Sequence, residues 1–316
     1  MTNENFYDVI VVGAGPAGLT AGIYLSRAKL STLILNQGTV GGQLILTHEI
    51  ANYPGVELTS GYKLASIMKK QALSFGAKIK TVSQAPTFRD EGAIKVVKVG
   101  DVEYTTHAVI LTLGGSPRML GVKGETEFKG QGVSYCATCD GEFFTGKEII
   151  VVGGGNSALE EAVSLSKYAT KITVVHQFDH FQAFPAYVED AQNNDKISFV
   201  METEVKEFVG SERLEKVLLH HKDTGKEEWV KTDGAFIFIG YVPNTDTIKG
   251  LVELNKYGEI IVNSDMETSV PGIFAAGDSI AKRYRQVTTA VGEATVAALA
   301  SAAKVYELKK EYQLVN

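Results

Sequence analysis

One local pattern occurs twice in this chain and does most to fix what it can fold into. Tyr7-Asp8-Val9-Ile10-Val11-Val12 is an almost unbroken apolar run, the signature of a strand in a parallel sheet covered on both faces. It is followed by Gly13-Ala14-Gly15-Pro16-Ala17-Gly18, a helix-like stretch from Leu19 to Ala28 and a second strand from Ser31 to Leu35. The same order returns at Glu148-Ile149-Ile150-Val151-Val152, Gly153-Gly154-Gly155-Asn156-Ser157-Ala158, a helix-like Leu159–Lys167 and a strand Lys171–Val175. Two strand–glycine turn–helix openings, 140 residues apart, predict an α/β fold. It has two doubly wound, Rossmann-like, three-layer domains of the nucleotide-binding type.

The turn chemistry explains why glycine is wanted at these places. In Gly13-x-Gly15-x-x-Gly18 the first glycine permits the tight turn and the second lets backbone approach a diphosphate. The third lets helix pack close against strand. Backbone N–H groups of Gly15, Pro16, Ala17 and Gly18, less the one that proline lacks, then open toward an anion at the helix start. The plainer alternative is an ordinary glycine-rich turn; the strand before it and the helix after it favour a dinucleotide. An acidic residue is usual at the end of the second strand for a ribose hydroxyl. Here that place holds Asn36, which can still hydrogen-bond but carries no charge.

Two Gly/Pro-punctuated junctions show how the domains connect. Leu113-Gly114-Gly115-Ser116-Pro117 ends one apolar run and Ile239-Gly240-Tyr241-Val242-Pro243-Asn244 ends another. The chain is expected to leave a first domain after residue 116 and to return at 245. The first domain is then discontinuous, 1–116 plus 245–316, with the second, 117–244, inserted in it. The 316 residues suit two such domains.

Composition excludes some functions. The net charge of −6 gives no basic surplus for nucleic acid or anionic lipid. No apolar run reaches the roughly 18 residues that span a bilayer. The polar residues before the first strand do not resemble a signal peptide, so the cytoplasm is the expected compartment. The two cysteines, Cys136 and Cys139, stand in Tyr135-Cys136-Ala137-Thr138-Cys139-Asp140. Two thiols with no neighbouring His cannot complete a four-ligand zinc site, and structural disulfides are rare in a reducing cytosol. A redox dithiol is the reading that remains, against the alternative of two inert buried residues. Asp140 is placed to act as acid or base for the thiols, or simply to cap a helix. Near the C-terminus, the apolar strand in Gly272-Ile273-Phe274-Ala275-Ala276 delivers Gly277 and Asp278. A carboxylate there can accept hydrogen bonds from the ribityl hydroxyls of a flavin; taken with the N-terminal turn, flavin is preferred over a plain strand-to-turn.

Together these segments resemble the low-molecular-weight thioredoxin reductases along the whole chain. The likeness rests on Gly13–Gly18, Gly41-Gly42-Gln43-Leu44, Asn52-Tyr53-Pro54-Gly55, Cys136–Asp140, Gly153–Ala158, Gly277-Asp278 and Tyr284-Arg285-Gln286, in that order and spacing. The resemblance implies FAD held by the first and last segments, with Gly41, Gly42, Gln43, Leu44 and Asn52 lining it and Arg285 and Gln286 in contact with it. It implies that the inserted domain carries the dithiol. Cys139 then lies against the flavin, while Cys136 attacks the disulfide of thioredoxin or a similar dithiol protein and Cys139 resolves the mixed disulfide. It also implies a homodimer.

One departure from the family bears on the electron donor. NADPH-dependent members follow the second strand of the inserted domain with His-Arg-Arg-x-x-Phe-Arg. This chain reads His176-Gln177-Phe178-Asp179-His180-Phe181-Gln182, so all three arginine positions are lost. Each charge-assisted hydrogen bond contributes roughly 1.5–3 kcal/mol. Losing two or three weakens NADPH by about a thousandfold or more, and Asp179 adds a like charge. NADH is not excluded by the missing arginines, although no acidic residue replaces them for its ribose, and Phe178 and Phe181 are candidates to fill part of the groove. The chain resembles most the ferredoxin-dependent flavin thioredoxin reductases, a branch without pyridine-nucleotide-binding residues. Ferredoxins are acidic, so a docking site should be basic; Lys282, Arg283 and Arg285 form one candidate cluster and Lys304, Lys309 and Lys310 another. The competing readings are the same reductase fed by NADH or NADPH, an FAD oxidoreductase of another substrate, and a flavin-binding redox sensor.

Overall fold

The structure, a computed structural model, describes residues 5–46, 50 and 52–315; the side chains of Leu46, Thr138, Cys139 and 312–315 lie outside the described part. The chain forms two compact units, Met1–Ser116 with Val242–Asn316, and Pro117–Tyr241. Val242, Pro243 and Asn244 thus belong to the first unit, which places the return ahead of the expected 245. The cause is local: Asn244 donates its backbone N–H to Gly114 O (3.0 Å) and its Nδ2 to Leu113 O (3.1 Å).

In the first unit β1 (Phe6–Val12), α1 (Pro16–Arg27), β2 (Thr32–Gln37), α2 (Gly61–Ser74) and β3 (Lys78–Val82) follow one another, then β4 (Thr87–Glu91), β5 (Ile94–Val99) and β6 (Val102–Leu111). The sheet order is β3-β2-β1-β6-β5-β4, and the strand Ile273–Ala275 pairs parallel with the far end of β6. The β4–β5 pair and the β5–β6 pair are antiparallel; the rest are parallel. The unbroken apolar run of β1 now has its reason. Val9 and Val11 face one core, shared with Leu19, Leu25 and the C-terminal helix residues Ala294, Ala297 and Ala298. Ile10 and Val12 face another, shared with Val97, Tyr104 and Ile273. Side chains alternate across a strand, so a strand buried on both faces must be apolar at nearly every position. Burying each such side chain stabilises by roughly 1.5–3 kcal/mol.

The second unit repeats the device. Its parallel strands run in the order Ile197–Val200, Lys171–Val175, Glu148–Val152, Gly234–Ile237, Val133–Ser134. Ile149 and Val151 enter one core and Ile150 and Val152 the other. A separate antiparallel sheet, Thr203–Gly210, Leu214–His221 and Glu227–Lys231, packs its apolar face into that second core. In both units the strand that leads into the glycine turn, β1 or Glu148–Val152, has the next strand in sequence on one side and a later strand on the other. Ligands of such sheets bind outside the carboxyl ends of the strands, at the point where the order reverses. Both glycine turns sit there.

Candidate functional site

The first glycine turn is built by close contacts that only glycine allows. Gly13 has φ +108, and a Cβ on it would lie 2.2 Å from Thr112 O; one on Gly18 would lie 1.9 Å from Gly13 O. These two glycines are needed by the protein itself. Gly15 is not: the nearest atom to an added Cβ is Gly42 Cα, at 4.0 Å. It caps α1, whose first residue is Pro16, so the helix starts three residues before the Leu19 expected from the apolar periodicity; proline fixes φ and lacks a donor that N1 does not need. The open side of Gly15, at the start of the helix, is what a diphosphate requires.

Asn36 is placed differently from its sequence reading. It is buried. Its Oδ1 accepts the Ala14 N–H (3.0 Å) and its Nδ2 donates to Gly38 O (2.8 Å). Its amide thus braces the glycine turn, where a ribose contact was expected. Gly41 donates its N–H to Ala14 O (2.8 Å), which brings the Gly41–Leu44 segment beside the same turn. Within it Gln43 is exposed, whereas Leu44 is buried in the apolar core and offers a ligand little surface.

The C-terminal segments converge on this end of the unit. A Cβ on Gly277 would meet Ala17 Cβ at 3.0 Å, so strand Ile273–Ala275 delivers Gly277 and Asp278 beside the start of α1. Asp278 Oδ1 is buried and makes no directional hydrogen bond, although Lys282 Nζ lies 3.1 Å away as an ion-pair partner. Lys282 is held by Glu293 (2.9 Å), which also accepts the Gly277 N–H (3.0 Å). Burial pushes the Glu293 carboxyl above its ordinary range, against the pull of Lys282. Arg285 pairs with Glu259, and Asn52 Nδ2 donates to Gln286 Oε1 (3.2 Å), joining two segments 234 residues apart. The open Gly15 turn, the buried Asp278 carboxylate and the Asn52–Gln286 pair fit a flavin dinucleotide: backbone for its diphosphate, a carboxylate for ribityl hydroxyls, amides for polar ring edges.

In the second unit Cys136 is disulfide-bonded, and the sequence has one other cysteine. The side chain of Cys139 lies outside the described part of the structure, although its backbone belongs to the short helix Ala137–Asp140. Asp140 donates its N–H to Cys136 O (3.1 Å) and takes the Ser134 hydroxyl on Oδ2 (2.6 Å). Ser134 Oγ in turn accepts the Cys136 N–H (3.1 Å). Ser134 was missed by the sequence reading; a serine two residues before a C-x-x-C is a weak signal. Tyr135 donates to the fully buried Glu125 (2.8 Å), and burial, then that carboxylate, raises its phenol well above the ordinary range.

The second glycine turn opens on a cleft of about 790 Å³. Its lining includes Gly153–Ser157, His176, Gln177, Gln182 and, from other segments, Arg118 and Lys206. Phe178 and Phe181 are not part of it, so the expectation that they fill the groove is corrected. The Phe181 ring packs against Phe199 at 5.2 Å in the core, and the Phe178 ring sits edge-on to His176 at 5.4 Å. His176 is buried, which lowers its pKa and keeps the ring neutral; its Nε2 donates to His180 O (3.1 Å). Gln182 N–H donates to Gly154 O (2.8 Å) and Phe184 N–H to Asn156 Oδ1 (2.8 Å), so the 177–184 loop is tied to the turn. No lysine or arginine stands in that loop, although Lys222 Nζ reaches it from outside and donates to Gln177 O (3.2 Å). Lys206 is paired with Glu204 (2.7 Å), and among the described residues Arg118 makes no side-chain hydrogen bond or ion pair.

Neither candidate basic cluster is a bare cationic surface. Lys282 is paired with Asp278 and Glu293, Arg285 with Glu259, Lys304 with Glu267 (2.6 Å) and Lys309 with Asp8 (2.6 Å). Among the described residues no helix is long and apolar enough to cross a membrane, and no group of three or more His, Cys, Asp or Glu side chains is placed to hold a metal ion.

Comparison with known proteins gives the geometry its family. Residues 7–294 match the pyridine nucleotide-disulphide oxidoreductase family model. The thioredoxin reductase of Bacillus subtilis (strain 168) is 44% identical over 311 residues, 98% of each chain. The crystal structure of thioredoxin reductase from Streptococcus pyogenes MGAS5005 superposes with a TM-score of 0.85 at 38% identity, over 96% of this chain and 100% of that one. A ferredoxin-flavin thioredoxin reductase from Clostridium acetobutylicum is more distant, with a TM-score of 0.52 and 31% identity over 96% of this chain and 99% of that one. Special nearness to the ferredoxin-dependent branch was expected; that branch is instead a distant structural neighbour. The fold, the FAD cofactor and the disulfide oxidoreductase activity are those of the wider family. The chain belongs to the low-molecular-weight thioredoxin reductases, within the pyridine nucleotide-disulphide oxidoreductases.

Proposed function

We propose that this chain reduces the disulfide of thioredoxin through Cys136 and Cys139 with electrons from a donor other than NADPH, reduced ferredoxin in the first reading. The observation that carries it is the strand-end loop at His176–Gln182. This loop faces the cleft with Gln177 and Gln182 and supplies no cation for a 2′-phosphate. Bound FAD supplies the step between a donor of one or two electrons and a two-electron disulfide. The protein's part is to hold it: Gly13, Gly15, Pro16, Ala17 and Gly18 at the diphosphate, with Gly41, Gly42, Gln43, Asn52, Gly277, Asp278, Arg285 and Gln286 around the rest. Asn36 and Leu44 support that site from behind. Asp140 holds or moves the thiol proton. The ferredoxin reading draws on the two ferredoxin-flavin thioredoxin reductases among the structural relatives. With the basic clusters largely paired, such a carrier would dock on other surface. The family resemblance supports a homodimer and a cytoplasmic enzyme.

A second reading, NADH as donor, is favoured by one observation: the cleft is open. Nothing lies within 4 Å of a Cβ added to Gly155, and Arg118 has a free guanidinium on the wall, a fit for a diphosphate without a 2′-phosphate. Steady-state reduction of thioredoxin with reduced ferredoxin, NADH and NADPH in parallel tests both readings. Ferredoxin or NADH is expected to support turnover, with kcat/KM for NADPH about a thousandfold lower than for the working donor. Turnover with NADPH at the rate of the best donor contradicts the proposal.

A further inference from the structure

The two carboxylate oxygens of Asp140 have different surroundings. Oδ2 accepts the Ser134 hydroxyl at 2.6 Å; among the described residues Oδ1 accepts nothing. Ser134 is 5% exposed and lies on the strand Val133–Ser134, pinned by the register Phe236↔Ser134. Its Oγ has one proton. The carboxylate at 2.6 Å competes for it with Cys136 O at 3.4 Å, and the shorter, charge-assisted bond wins. The Cys136 N–H, 3.1 Å away, can only donate to the same oxygen. Ser134 thus has a fixed polarity: it accepts from the backbone of the attacking cysteine and donates to the acid.

We propose that Ser134 is a positioning residue for thiol–disulfide exchange. It holds Asp140 Oδ2 against the Cys136 backbone and leaves Oδ1 as the oxygen that exchanges a proton with the thiols. This inference rests on the reading of Cys136, Cys139 and Asp140 given above. The exchange starts from the enzyme dithiol. The Cys136 thiolate forms a bond to one substrate sulfur, the substrate S–S bond breaks, and the electron pair leaves on the other substrate sulfur. That sulfur takes a proton. The Cys139 thiol gives up its proton and attacks the Cys136 sulfur; the mixed disulfide breaks, and the second substrate sulfur is protonated. Two protons pass from enzyme dithiol to substrate dithiol, and one carboxyl oxygen at a fixed place can carry each in turn.

The test is independent of the natural donor. Holoenzyme is reduced anaerobically with dithionite, freed of excess reductant and mixed with oxidised thioredoxin while flavin reoxidation is followed. Ser134→Ala is expected to slow reoxidation 10- to 100-fold, roughly the low end of what a displaced acid–base group costs. The thioredoxin concentration at half-maximal rate should stay unchanged. Asp140→Asn should slow it at least as much, and the double variant no more than the slower single one. Ser134→Thr should keep the rate within a few-fold and the near-isosteric Ser134→Val should lose it; this pair serves if the alanine variant does not fold. An unchanged rate in the alanine or valine variant, or losses that multiply in the double variant, overturns the proposal. If the unaltered enzyme is not reoxidised by thioredoxin, the substrate reading fails instead.

Discussion

The two glycine turns use one backbone device and differ in what braces them. Both begin with a left-handed glycine pressed against the carbonyl of a neighbouring strand, Gly13 against Thr112 O and Gly153 against Phe238 O. Both leave the second-motif glycine, Gly15 or Gly155, open to whatever approaches. The residue at the end of the next strand then diverges. Asn36 reaches back with its amide and hydrogen-bonds the turn. His176 lays its ring against Gly154, where an added Cβ would come within 2.5 Å, and begins a loop tied to the turn through Gln182 and Phe184. In the proposed reading the turn makes a diphosphate site and the strand-end loop selects the nucleotide that can use it.

Five variants test that contrast, and the largest effect should come from the redox dithiol. Cys139→Ser should cut thioredoxin reduction by about three orders of magnitude or more, with the flavin absorbance retained in the purified protein. Full turnover would leave only a sensor role for the pair. Next comes the grafted triple variant Gln177→Arg, Phe178→Arg, Gln182→Arg. Restored cations should raise kcat/KM for NADPH by about a thousandfold, and a flat response would mean that the loop does not set selectivity. Gly15→Ala should unfold at the same denaturant midpoint as the parent apoprotein, because no protein atom is crowded, yet bind FAD at least about tenfold more weakly by flavin titration. The matching Gly155→Ala should leave FAD binding untouched. Asn36→Ala acts on stability instead: it removes a buried brace and should cost about 1 kcal/mol in urea unfolding of the apoprotein. A neutral result would show that the turn holds without its strand-end amide.

Much of this was legible in the sequence because it is local. Tyr7–Val12 and Glu148–Val152 read as doubly covered strands from composition alone, and the glycine spacings announce turns. What was hidden depends on groups far apart in the chain. Glu259 meets Arg285, Glu293 meets Lys282 and the Gly277 N–H, and Asn52 meets Gln286 only after folding. The same contacts neutralise lysines and arginines that look like a basic patch when read in one dimension. The β4–β5 hairpin gave no alternating apolar signal because Thr87–Glu91 is largely exposed. Asn36 and Leu44 occupy motif positions, yet their side chains turn inward to brace and to pack, which residue type alone does not reveal.

The proposed function turns on loss of NADPH binding at the strand-end loop of the second unit. Its most direct test is anaerobic mixing of the FAD-loaded enzyme with NADPH, NADH and reduced ferredoxin in turn, following loss of the flavin absorbance band. Slow, incomplete bleaching by NADPH is expected, with rapid bleaching by ferredoxin, or by NADH in the second reading. Rapid, stoichiometric bleaching by NADPH would contradict it.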